Sequence, residues 1–517
     1  MLSKESKEYL IQGVASTEYG TELWNAINTG GNAEVYPGDF NASGIVHGDV
    51  VVFGNVNVTG DVTFTGDVIC YSYFVNSGGH NVFVQGDCFV GKSIQFNTSA
   101  PNMAQSGLVI AGDFICGAGQ FKVNAGQSPY ITVGGSWYAG NGSNIDCSGY
   151  DGAPGMNIQV YGNFYFQNLY INGGNATASL NAGTAGSLTV WGDCLAWDEL
   201  AFYGGDSNFA NRYPGNGGNV QIYGDFQGYI IGYGGSANNN ASGGDGGYVY
   251  VGGNLYPYYM QVNGGNSAST LPGHSAGRGG YVSVSGDIVG GDTINCNGGA
   301  KFGVVVGSGS SSSPDGGNIE CSNVTAWQLL ANGGDVDQTN PSSSSGNGGY
   351  ISIYGTANLQ NSIIANAGNG GNNGGNGGYV YVQGFASAQA SITVNGGNND
   401  IGTNGSAGHI VLEAGLSTGN IYLIDGQGSG AAPTSICGIQ MTGSNTIFLL
   451  YASDRTGIQI TRNMGYNVPC TLLFSGLGPK QVLTNPNGLD TGNIAAFAGN
   501  LFVGNNNGWG QIAATPV

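Results

Sequence analysis

Short runs of alternating apolar and polar residues, each closed by glycine, recur along most of the chain. GNVQIYGDF (218–226), GYVYVGGNL (247–255) and GYVSVSGDI (280–288) share one pattern: Gly-x-apolar-x-apolar-x-Gly-Asp/Asn-apolar. A period of two predicts strands, because successive side chains point to opposite faces. Val220, Ile222 and Phe226 then share one face, with Gln221, Tyr223 and Asp225 on the other. Val249, Val251 and Leu255 keep that phase, and Tyr248 and Tyr250 oppose them.

The second glycine of the pattern anchors a series: Gly86, Gly112, Gly135, Gly162, Gly192, Gly224, Gly253 and Gly286. It continues through Asn323, Gly355, Gly384 and Ala414, in steps of 23–37 residues. Ahead of it, GDVVVF-GNVNVT-GDVTFT-GDVICY (48–71) repeats every six residues. A helical repeat of fixed geometry does not tolerate so irregular a step, whereas stacked coils of short strands do if one loop absorbs the change. The predicted fold is all-β: a single-chain parallel β-helix of about 13 or 14 coils, on the order of 65 Å long at ~4.8 Å per coil.

Stacking the coils predicts an interior column at Cys88, Phe114, Trp137, Phe164, Cys194, Phe226, Leu255 and Ile288. Cys88 and Cys194 fall where Phe or Leu falls elsewhere, so they are read as small core hydrophobes. A second column marks the turns, where Asn172, Asn263, Asn297, Asn332 and Asn395 each precede glycine and Asn124 and Asn366 precede alanine. Asparagine tolerates and glycine freely adopts the left-handed backbone region. Asn-Gly also marks hairpins, but no antiparallel partner recurs on this period. The column resembles the asparagine ladder of parallel β-helix proteins, in which stacked amides bond to one another. Variable loops of roughly nine to seventeen residues follow each Asn-Gly-Gly and place the length changes on one edge, often the binding face of a solenoid.

The ends differ. Residues 1–29 hold six of the chain's 40 charges, and Tyr9, Leu10 and Val14, then Leu23, Trp24 and Ile27, predict two short amphipathic helices that must dock on something. Residues 30–85 read as a linker with hexapeptide-type first coils, 86–430 as the shaft, and 431–517 as a β-rich cap or distal domain. SKESKEYLIQGVASTEYGTELWNAINT (3–29) resembles the short helical leader of many tailed-bacteriophage structural proteins, over less than a tenth of the chain. The alternative is a cap on the first coil. A β-solenoid behind such a leader is similar to phage fibres and tailspikes. The resemblance implies a virion protein bound to other virion proteins through its N-terminus, and a homotrimer.

Composition narrows the function. Glycine makes up 100 of 517 residues, and only 8% of residues are charged where ~25% is usual. The net charge is −20, and Arg212, Arg278 and Lys301 are the sole cations between 123 and 454. No basic surface is present to hold nucleic acid, and an anionic membrane would repel the chain. The first twenty residues lack the apolar core of a signal peptide. With nine scattered cysteines and no C-x-x-C, the expectation is a cytosol-made protein with reduced thiols, located in the virion.

Chemistry is sparse in the sequence. His47, His80, His274 and His409 lie far apart, and GGDGG (243–247) lacks the nine-residue tandem of a calcium roll. Asp198 and Glu199 are adjacent carboxylates, but Asp193, Asp225 and Asp287 read as turn caps. No catalytic residue, metal site or cofactor is expected. The outward aromatic residues stand out: Tyr161, Trp191, Tyr223 and Tyr354 share one position, and Tyr248, Tyr250, Tyr281, Tyr350, Tyr379 and Tyr381 lie on the same strand face. They suit a subunit interface or a host-surface glycan. The expected function is a non-enzymatic phage structural appendage; the alternative is a host-recognition tailspike or adhesin that binds, and in one version cleaves, polysaccharide.

Overall fold

The structure is a computed structural model. It describes residues 33–412, except 99–106, 118–119, 126–129, 141, 239, 272–273, 303–310, 313, 338–342 and 389–390, and beyond 412 mainly the backbone of individual strands. Among the described residues every regular element is a β-strand. The two helices expected within 1–29, with Tyr9, Leu10, Val14, Leu23, Trp24 and Ile27, lie outside the described residues.

Two compact units are present. The first comprises the chain up to Asp206 with Gly215–Ile231 and Tyr250–Gly253; the second comprises Ser207–Pro214, Gly232–Val249 and the chain from Asn254 onwards. Each is a β-helix-like solenoid, because each strand pairs in parallel with its equivalent in the next coil. In the first unit Gly107–Ile110, Tyr130–Val133, Asn157–Val160, Ser187–Val190 and Asn219–Ile222 form one such column. In the second, Asn318–Cys321, Tyr350–Ile353, Tyr379–Val382, His409–Leu412 and Cys437–Met441 form another. The six-residue repeat is one side of a three-sided coil, since Val50 pairs with Val68, eighteen residues on. The coils from Glu34 onward stack directly on the longer ones, so residue 85 marks a change in coil length. Beyond 431, strands include Ile494–Phe497, Asn500–Asn505 and Gly508–Ala514, which pair antiparallel.

Period-two patterning dictates the interior. The predicted core column is buried throughout, from Cys88 to Ile288, and its register follows Cys88–Phe114–Trp137–Phe164–Cys194. Trp137 sits between the rings of Phe114 and Phe164, at 4.9 and 4.6 Å. Each such side chain contributes about 2–3 kcal/mol by leaving water. Parity fails in the first coils: Val51, Ile69, Phe89 and Ile115 point outward, yet they form a second buried apolar cluster with Ala33 and Tyr138 packed against it.

The glycine-rich stretches are only partly the loops that the sequence suggests. In the second unit, the outgoing and returning segments of a coil run side by side. Gly277 N–H donates to Gly265 O at 2.7 Å, and Gly265 N–H to Gly244 O of the preceding coil at 2.8 Å. Gly299 N–H of the following coil donates to Gly277 O at 2.9 Å. Gly264 N–H instead bonds along the stack, to Asn297 O at 2.9 Å. Backbones this close leave no room for a Cβ: one on Gly277 would overlap the Gly244 carbonyl, and one on Gly265 the Gly235 carbonyl. Even the variable tips keep register, with Ala237, Ser267, Lys301 and Val336 bridged in parallel. Length changes also occur at another corner. Leu255–Met260 spans five steps where the paired Ile288–Ile294 spans six.

Candidate functional site: side-chain ladders and outward aromatic columns

A backbone N–H at a corner has no sheet partner and must find another acceptor. Here the preceding coil supplies it. In the first unit, Asp49 Oδ1 accepts from Asp67 N–H at 2.8 Å, Asp67 from Asp87 at 2.8 Å, and Asp87 from Asp113 at 2.7 Å. Asp113 accepts from Ser136, Ser136 Oγ from Asn163, Asn163 from Asp193 and Asp193 from Asp225, at 2.8–3.0 Å. The preceding glycine is part of the device. A Cβ on Gly86, Gly112 or Gly135 would overlap the Oδ1 of Asp67, Asp87 or Asp113 respectively. Gly-Asp/Asn is therefore one unit: glycine opens the space through which the lower side chain reaches the next amide.

The asparagine ladder exists in the second unit, with one difference from the expected amide-to-amide stack. Each side chain accepts from backbone: Asn263 from Asn297 N–H, Asn297 from Asn332, Asn332 from Asn366 and Asn366 from Asn395, at 2.7–2.9 Å. In the first unit Asn172 accepts from Tyr203 N–H at 2.7 Å. Asn124 lies on the strand Gln120–Ala125, and its side chain is outside the described residues. Two ladders were not foreseen: Asp335–Asn369–Asn398, at 2.7 and 2.9 Å, and Asp315–Asn347–Asn376–Ser406, at 2.8–3.1 Å. Asp335, Asn369 and Asn398 each lie three residues after a turn asparagine (Asn332, Asn366 and Asn395), and Asp315, Asn347 and Asn376 each precede glycine, so position relative to those anchors is the signal that could have revealed them.

These ladders predict a selective mutational response. Asp87→Ala leaves the half-buried amide of Asp113 without this acceptor and costs about 1–3 kcal/mol. Asp87→Asn keeps the oxygen, as Asn163 and Asn323 do at the same corner, and stays within about 0.5 kcal/mol of wild type. Thermal unfolding of the two variants separates these outcomes; equal losses would show that charge, not the acceptor, matters at this rung.

The aromatic residues lie where parity places them. In the first unit Tyr161 and Trp191 stack at 4.2 Å and 2°, Trp191 and Tyr223 at 6.1 Å and 17°, and Tyr223 meets Tyr250 edge-on at 5.7 Å. Tyr161, Trp191 and Tyr223 are 52%, 39% and 46% exposed. In the second unit Tyr248 stacks on Tyr281 at 5.3 Å, Tyr350 packs against Tyr379 at 6.0 Å, and Tyr354 meets Tyr381 at 6.1 Å. His409 follows Tyr379 in register. The Tyr281 hydroxyl donates to Glu320 Oε2 at 2.6 Å, and burial, reinforced by that carboxylate, pushes its pKa up to about 12. The closest pair, Tyr161 and Trp191, lies face to face, and all three rings of this column keep a large exposed surface.

Sequence reading missed several exposed rings, among them Trp197, Tyr256, Tyr258 and Trp327. Phe166 pairs with Ala196 and Asn168 with Glu199, so the later strand carries one extra residue. Such a bulge re-aims side chains, and Trp197 and Asp198 are both exposed there. Glu199 Oε1 accepts from Tyr203 Oη at 3.0 Å.

Among the described residues no three His, Cys, Asp or Glu side chains gather as a metal site. The described cysteines are all free and buried. Burial pushes the thiols up, Cys70 to about 11 and Cys116 and Cys321 to about 12. No family model, curated protein or solved structure matches the chain.

Proposed function

We propose that the chain is a structural appendage of a tailed-bacteriophage particle, of the fibre or spike type. Its N-terminal segment attaches it to other virion proteins, the β-helix shaft is exposed on the particle surface, and residues 431–517 cap the shaft. The leader-like segment at 3–29 motivates the attachment. The observation that best supports a structural role is the direction of the polar side chains. Asp and Asn at corner after corner bond to the next coil's backbone, which builds a shaft and leaves those groups engaged. Mass spectrometry of purified particles should find the chain in stoichiometric amount, and antibodies against it should label intact particles. Its absence from the particles overturns the proposal.

Trp197 favours a second reading, host recognition through surface polysaccharide. Among the described residues it has no aromatic partner, and it stands beside Asp198 and Glu199 on an exposed bulge. An open indole face next to hydrogen-bonding carboxylates is suited to a sugar ring. Retention of the protein on immobilised host polysaccharide, lost in Trp197→Ala, would support this reading. Release of reducing ends would add cleavage to it.

A further inference from the structure

Parity turns the middle residue of each short strand after a corner outward. In the first unit these positions stack in register as Val35, Val51, Ile69, Phe89, Ile115 and Tyr138. An outward residue meets water unless something lies over it. Val51 and Ile115 are 0% exposed, Ile69 3% and Phe89 7%, whereas Val35 before them is 39% exposed. Gln227, beside the core residue Phe226 of a later coil, is exposed too. Neighbours within the column do not account for the burial, because Tyr165 and Leu195 have such neighbours and are only half-buried. Among the described residues Ala33, Tyr71 and Tyr138 pack against the four, and Tyr71 meets the Phe89 ring edge-on at 6.2 Å. One methyl group and two half-buried rings are too little to close this face. It is closed within a single chain, so the rest of its cover belongs to this chain.

We propose that the segment before Ala33 docks lengthwise on this column through Leu23, Trp24 and Ile27. The described chain begins at Ala33, which already lies on the cluster, so the residues just before it start on this face. The stretches 99–106 and 126–129 instead follow Ser93–Thr98 and Gln120–Ala125, which pair with each other on another side of the coil. The reach is sufficient. Leu23 precedes Ala33 by ten residues, about 15 Å in the helix that the sequence predicts. Phe89 lies three coils beyond Val35, about 14 Å at ~4.8 Å per coil. Leu, Trp and Ile at i, i+1 and i+4 form one apolar stripe, which matches a column of aliphatic and aromatic side chains. Docking clamps the first coils together and leaves Tyr9, Leu10 and Val14 for attachment. It goes beyond the virion reading, since it is measured on purified protein whether or not the chain is found in particles.

Thiol labelling of the full chain tests it. The Ile69→Cys thiol should react with a maleimide about tenfold or more slowly than the Gln227→Cys thiol, and tandem mass spectrometry separates it from Cys70. Combining Leu23→Asp, Trp24→Asp and Ile27→Asp puts carboxylates against the apolar column. That change should speed labelling at position 69 by about tenfold or more and leave position 227 unaltered. Equal labelling at 69 and 227 in the otherwise wild-type chain, or a position 69 that stays protected in the triple variant, overturns the proposal. Circular dichroism confirms that the variants fold. If Ile69→Cys does not, Val51→Cys, a smaller change in volume, replaces it. If the triple variant does not, Trp24→Ala with Ile27→Ala replaces it with the same expected direction.

Discussion

Between pH 8 and pH 10 the first unit should lose about 7 kcal/mol of stability. Cys70, Cys88, Cys116, Cys147 and Cys194 are buried there, and desolvation raises every one of these thiols above its ordinary value of 9.0. The folded state therefore keeps its protons where the unfolded chain gives them up. The stabilisation is complete below pH 9 and is lost as pH rises toward the folded values. At pH 10 the unfolded chain gains about 1.4 kcal/mol per thiol, or about 7 kcal/mol for cooperative loss of the unit. That is comparable to the whole stability of an ordinary domain. Urea unfolding at pH 8 and pH 10 measures it, and replacing Cys194 by Val should reduce the slope by one proton. A thiol reagent at pH 8 should leave these cysteines untouched until denaturant is added. Unchanged stability across this range would mean that the thiols are open to water.

Gly277→Ala should be nearly as damaging for a single methyl group. The new Cβ meets the Gly244 carbonyl oxygen and carbon, which belong to backbone, so no side chain can swing aside. Separating the segments strains or breaks the bonds from Gly277 N–H to Gly265 O and from Gly299 N–H to Gly277 O, at 2.7 and 2.9 Å. The expected loss is about 3 kcal/mol or more, or roughly 10 °C in midpoint. Gly38→Ala is the control. A Cβ there meets nothing within 4 Å and the backbone is not left-handed, so the change is neutral or stabilises by up to about 1 kcal/mol. Similar losses in both variants would show that backbone entropy, and not the close approach, explains the glycine content.

The two glycines differ only in what surrounds them, and the chain does not record that locally. What is local was readable. Strand parity repeats every two residues, so the buried and outward faces at Val220, Ile222 and Tyr223 followed from adjacent letters, as did the interior column through Trp137. The turn asparagines Asn263 to Asn395 were visible because each follows its strand at a nearly fixed distance. Only the stacked coils decided the rest, because their contacts join residues 16 to 39 positions apart across inserts of unequal length. Distance in sequence therefore does not say which amide an Asp87 or Asn347 oxygen will reach, or which glycines face a carbonyl. Stacking also set Tyr161 and Trp191 face to face at 4.2 Å, and one extra residue in Cys194–Tyr203 relative to its neighbour broke parity after Trp197, leaving Asp198 exposed beside it. These outcomes depend on register between coils, a property of the assembled solenoid that no single strand carries.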